Sequence, residues 1–91
     1  MAHHVTEDEW NRFVDDYISP KFNEGFTVVD TRGQWTDVDS KIMKENSKLI
    51  IIVYKHSREM DASISYVINN YKRLFQQGSV LKVTSNVAVE E

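Results

Sequence analysis

Residues 48–55, Lys-Leu-Ile-Ile-Ile-Val-Tyr-Lys, are the stretch on which the fold turns. The run is short, β-branched and apolar at both parities, the signature of a central strand covered on both sides. On its far side, Met60, Ile64, Val67, Ile68, Tyr71, Leu74 and Phe75 keep a 3.6-residue period and predict a helix over about 60–77. Lys72 and Arg73 complement the end of that helix, and Gly78 suits a left-handed stop. Ser79 to Val89 then alternates loosely, with Leu81 and Val83, then Val87 and Val89, and reads as a last strand.

Upstream, Phe26–Val29 begin a strand of good β-formers, with Gly33 as a candidate bulge or close approach. Asp37-Val38-Asp39-Ser40 is a turn cluster, because Asp and Ser bond their own backbone in turns, and Ile42 and Met43 start the return arm. The first element is a helix over 6–19. Thr6 and Glu9 form an S/T-x-x-E capping box, and Val5 and Trp10 have the spacing of a hydrophobic staple. Trp10, Phe13, Val14, Tyr17 and Ile18 make one apolar face, and Pro20 ends the helix.

The order helix, strand, strand, helix, strand predicts an α+β chain. It is a ferredoxin-like two-layer sandwich whose first strand is missing, or is supplied by a stub or another subunit. Such a sheet has an unfilled edge, which favours a homo-oligomer. The 91 residues fit a single domain, 1–91. Zero cysteines exclude disulfides, thiolate zinc sites and thiol chemistry. No apolar run approaches the ~20 residues of a membrane helix, and Met-Ala-His-His-Val does not begin a signal peptide, so the expected location is the cytoplasm.

The formal charge of −3 argues against a nucleic-acid polymer as partner. It is unevenly spread: residues 1–45 hold 10 acids and 5 bases, residues 46–91 hold 4 acids and 6 bases. The basic half could hold one anionic ligand. Arg32-Gly33-Gln34-Trp35 joins a cation, an amide and a large aromatic, and Lys55, His56 and Arg58 cluster where the central strand exits. Arginine pairs with phosphate, glutamine reads a polar edge and tryptophan stacks. The expected site therefore comprises Arg32, Gln34, Trp35, Lys55, His56 and Arg58, around a small anionic or nucleotide-like ligand between subunits. The plainer reading buries Trp35 and turns Arg32 and Gln34 to water.

Other candidates reduce to structure. His3-His4 point apart in an extended chain. Adjacent carboxylates such as Asp15-Asp16 do not face one another on a helix. Asp37-x-Asp39 lacks the later Gly and terminal Glu of a calcium loop. No phosphate loop, nucleophile elbow or metal cluster appears, so no cofactor or metal is expected and an enzyme has no positive support. A non-enzymatic sequestering protein of phage type is the leading expectation. The alternatives are an inhibitor that docks through its acidic first helix, and a cofactor-free dimeric enzyme using His56.

Several strings also resemble a small bacterial family of unknown function, family three-five-seven-four. They are Thr6-Glu-Asp-Glu-Trp10 with Phe13, Ser19-Pro20-Lys-Phe22, Gly25-Phe-Thr-Val-Val-Asp30, Gly33-Gln-Trp35, Glu45-x-Ser47-Lys48, Tyr71-Lys72-x-x-Phe75 and Ser79-Val80-Leu81-x-Val83. The likeness spans about residues 5–89. It implies the fold and no mechanism. Relatives generally look exported and begin with an extra strand, and this chain differs on both counts.

Overall fold

A computed structural model of the chain describes residues 5–76 and 80–90. Helix α1 runs Glu7–Phe13 and continues as a π-helical turn, Val14–Ile18. Strands β1, Thr27–Thr36, and β2, Ile42–Ile51, form one antiparallel hairpin, and helix α2 spans Arg58–Phe75. The chain is thus α+β, with two helices and a two-stranded sheet.

The start of α1 forms as its sequence dictates. The Glu9 amide donates to Thr6 Oγ1 and the Thr6 amide to Glu9 Oε1, both at 3.1 Å, so two orphan amides are satisfied reciprocally. Val5 packs on the core cluster to which Trp10 belongs, in keeping with the staple spacing. The expected single helix over 6–19 is corrected to an α-helix that widens. The Ser19 amide reaches back five residues to the Val14 carbonyl at 2.8 Å. Phe13 and Ile18 explain the change. Residues five apart lie about 140° apart around an α-helix, whereas a π turn brings them to one side. Both are buried, Ile18 completely.

The core is mainly aromatic and sits between the two helical segments. Phe13 stacks on Trp10 and Tyr17, with ring centroids at 6.0 and 5.1 Å, and meets Tyr71 and Phe75 edge-on at 5.4 and 5.7 Å. These offset and T-shaped arrangements are the ones ring quadrupoles favour. Ile18, Phe22 and Val67 complete the buried set. Ser57 caps α2 by accepting from the Met60 amide at 3.1 Å, and the helix stops at Gln76, whose φ of 54° is left-handed. The predicted stop at Gly78 lies outside the described residues.

The hairpin is more regular than its sequence suggested. Every residue from Thr27↔Ile51 to Thr36↔Ile42 pairs one to one, so Gly33 marks no bulge. A β-carbon there would meet the Glu45 carbonyl oxygen at an ordinary 3.9 Å, so no close approach demands glycine either. The predicted turn forms: the Ser40 amide donates to the Asp37 carbonyl and the Val38 amide to Asp37 Oδ1, and Ser40 takes a left-handed φ of 62°.

Three expectations for the sheet need correction. The second strand starts earlier and ends at Ile51, leaving 52–55 outside the ladder. It is covered on one side only within the chain. Ile50 and Ile52 pack on the core, while Val29, Leu49, Ile51, Trp35 and Met43 share the opposite, exposed face. Residues 80–90 carry no regular secondary structure, so the predicted last strand is not formed by this chain alone. The fold is extended accordingly, with a Cα radius of gyration of 15.1 Å, against about 12 Å for a compact domain of this length.

Candidate functional site

Lys48 ties the hairpin to α1. Its ammonium bonds both Glu7, at 2.7 Å, and Asp30, and lies 5.9 Å from the centroid of the Trp10 ring. The hydrogen bond to Asp30, then that to Glu7, holds its pKa above the ordinary lysine value against a smaller opposing effect of desolvation. Burial, reinforced by the field of Glu45 and opposed by Lys48, likewise raises the Tyr71 hydroxyl. Both groups keep their protons longer in the folded chain than in the unfolded one. Their contribution is therefore complete below the ordinary values of 10.0 for tyrosine and 10.5 for lysine, and is lost as pH rises through the folded ones. Thermal melting between about pH 9 and 12 should show a falling midpoint, with a shallower fall in Tyr71→Phe. Equal slopes for the two proteins would remove Tyr71 from that account.

A cleft lies where the chain leaves the π turn and passes the end of β2. Pro20 ends the helical segment, and the Lys21 amide closes on the Ile18 carbonyl at 3.0 Å. The next turn is closed by the Gly25 amide on the Phe22 carbonyl, also at 3.0 Å. Gly25 adopts a φ of 107°, which an L side chain would strain, so glycine is needed there. Phe22 is buried and meets Phe26 edge-on, which anchors the turn. Against it runs the segment Ile52–Lys55, with Met60 of α2 alongside. The cleft between them encloses about 310 Å³, the lower end of the range for small-molecule sites. Lys21, Asn23, Lys55 and one carboxylate, Glu24, supply its charged and amide groups. Lys21 Nζ also sits 4.6 Å from the centroid of the Tyr66 ring, which holds it near α2. A shallower depression over Phe13 and Phe75 carries Glu9, Arg12 and Asp16, a poorer setting for an anion.

The predicted site residues fall into two groups. Lys55 lines the cleft, and His56 and Arg58 follow it into α2. The His56 Nε2 lies 2.9 Å from Asp61 Oδ2, so the ring is oriented by a carboxylate at the helix start. Both side chains are exposed, and the neighbouring Ser57 hydroxyl is engaged as the helix cap. Arg32, Gln34 and Trp35 lie on the far half of the hairpin, opposite Asn46, Lys44 and Met43. Asn46 is five residues, about 17 Å along the strand, from the end of β2 at Ile51, and Lys55 lies beyond that end. One chain does not bring the two groups together.

Alternation places Arg32 and Gln34 on the face of Asp30 and Lys48, and Trp35 on the opposite one. Trp35 is 49% exposed, so its plain burial does not hold within the chain. Lys21 escaped sequence reading because it looked like part of a connection. The Pro20-to-Gly25 spacing, a helix stop followed by a tight turn, was the one signal pointing to it.

Among the described residues no group of three or more His, Cys, Asp or Glu side chains is placed to hold a metal ion. No helix among them is long and apolar enough to cross a membrane. His3-His4 lie outside the described residues. The sequence model of a family described as a protein of unknown function, DUF3574, matches residues 1–90. No curated protein and no solved structure matched the chain.

Proposed function

We propose, starting from a chain that belongs to the DUF3574 family of proteins of unknown function, that it is a non-enzymatic binder of a small anionic molecule, acting as a homo-oligomer. The observation that carries this reading is the cleft of about 310 Å³ flanked by Lys21 and Lys55. Two lysines beside apolar Phe22, Ile52 and Met60 suit a ligand with an anionic end and a flat or aliphatic body. Asn23 adds an amide that can donate to the same ligand. Arg58, one residue past the Ser57 cap, adds a positive charge three residues beyond Lys55 in the sequence. In this reading the α+β chain is a ferredoxin-like two-layer unit whose first strand comes from elsewhere, and its second copy brings Arg32 and Gln34 towards the exit loop while Trp35 faces the seam between copies.

Calorimetric titration of the full chain with inorganic phosphate and with adenosine monophosphate tests it. Saturable binding of at least one is expected, weakened tenfold or more in the double variant Lys21→Glu/Lys55→Glu and little changed in Asp8→Asn. An inhibitor acting through its acidic first helix would reverse that order of sensitivity. Absence of saturable binding by both anions, or indifference to the double charge reversal, would sink the proposal.

A further inference from the structure

Two apolar surfaces of this chain lie open at once, and they have the same period. On the sheet, the face turned away from the helices carries the cross-strand pairs Val29↔Leu49 and Trp35↔Met43, with Ile51 beyond the first of them and the polar pairs Thr31↔Ser47 and Gly33↔Glu45 between the two. These side chains are exposed although their strands pair in full register. In the C-terminal segment, Leu81, Val83, Val87 and Val89 stand at alternate positions with Ser85 between them. In an extended chain all five share one face, while Val80, Lys82, Thr84, Asn86, Ala88 and Glu90 take the other, mostly polar one. Leu81 is 90% and Val83 82% exposed, and Val87 and Val89 about two-thirds exposed. A segment with one apolar and one polar face is built as a strand of a one-sided sheet, and here it is paired with nothing.

The remaining numbers point the same way. A two-stranded sheet is marginal by itself, and three strands with an apolar face are the usual minimum. The segment 80–90 and each hairpin strand have nearly equal length, 11 residues against 10. Within one chain the segment is not a strand of the sheet, and both apolar surfaces stay exposed. A twofold pair covers both, the segment by pairing at a strand edge and the sheet face by packing on its counterpart, because what one copy lacks the other presents.

We propose that the chain works as a strand-exchanged pair. Residues 80–90 of one copy lie along the free edge of β2 in the second copy, continuing its exposed apolar row, and the exchange is reciprocal, so that the two open sheet faces pack on one another. The occupant of the open face is thus a second copy of this chain. The inference deepens the oligomeric part of the proposed function and is independent of the ligand, so ligand-free protein tests it.

The lack of cysteine makes the test clean. Light scattering on the full chain should give twice the 10.6 kDa of one chain. Amides of residues 80–90 should gain hydrogen-exchange protection as protein concentration rises. In a mixture of differently tagged Asn46→Cys and Thr84→Cys chains, disulfides should join chains of different tag. The double variant Leu81→Asp/Val83→Asp should weaken self-association at least tenfold while keeping its helical circular dichroism.

A monomer whose 80–90 amides are protected at every concentration would mean that the segment pairs with its own sheet, and would overturn the exchange. A monomer with unprotected 80–90 amides would overturn it too. So would a dimer that neither cross-links between tags nor responds to the double variant, since its interface would lie elsewhere. The concentration-dependent exchange of the unaltered chain decides the matter even where the double variant fails to fold.

Discussion

Replacing Phe13 with alanine should remove about 3–5 kcal/mol of stability, the range for deleting a buried aromatic ring. The ring is 2% exposed and contacts Trp10, Tyr17, Tyr71 and Phe75. Its partners come from α1, the π turn and α2. Truncation removes transfer free energy and also opens a cavity that four rigid neighbours cannot close. A domain of 91 residues is held by only about 5–14 kcal/mol, so the variant should sit close to its unfolding midpoint without denaturant. Urea titration followed by circular dichroism measures the loss, with exposed Val38→Ala as the reference for a site that should move by less than about 0.5 kcal/mol. A loss below about 1 kcal/mol for Phe13→Ala would mean that the aromatic cluster is not the core.

Ile18→Ala should cost about 2–5 kcal/mol, and Ile18→Val about 0.5–1.5. Ile18 is fully buried, and it is the last residue of the π turn. Its burial is what the widened turn achieves: an α-helical continuation would rotate it off the side that Phe13 occupies. Truncation therefore leaves a void and also removes the reason for the turn. Loss of the five-residue hydrogen bond from the Ser19 amide to the Val14 carbonyl should follow, read as faster exchange of that amide. Phe13 and Ile18 belong to one cluster, so the double variant should cost less or more than the two single losses added, and not their simple total. Equal costs for Ile18→Ala and Ile18→Val would show that the site relaxes around the smaller side chain.

The elements readable in the sequence were those built from neighbours in the chain. The Thr6–Glu9 box, the Asp37–Ser40 turn and the amphipathic period of α2 each close within a few residues, and each forms as its residues predict. The candidate site was legible in part. Lys55 and His56 were visible as a cation-rich exit loop, because the strand before them was. Lys21 was not, since its place opposite Lys55 depends on how far Pro20 and Gly25 fold the chain back. Arg32 and Lys55 looked like members of one pocket because each follows or precedes an apolar strand. The register of the hairpin puts them towards opposite ends.

The stretch 48–55 shows where the division falls. Its composition alone determined that it would be extended and apolar, because four consecutive β-branched side chains, Ile50 to Val53, favour a strand. What covers each face was decided elsewhere. Even-numbered Ile50 and Ile52 face the aromatic core, and Lys48 reaches α1 because Glu7 and Asp30 stand there to receive it. Odd-numbered Leu49, Ile51 and Val53 stay about half exposed within the chain. Local sequence fixes conformation through short-range sterics and hydrogen bonds. It cannot fix burial, which depends on residues far along the chain, and here the proposed exchange assigns that role to a second copy.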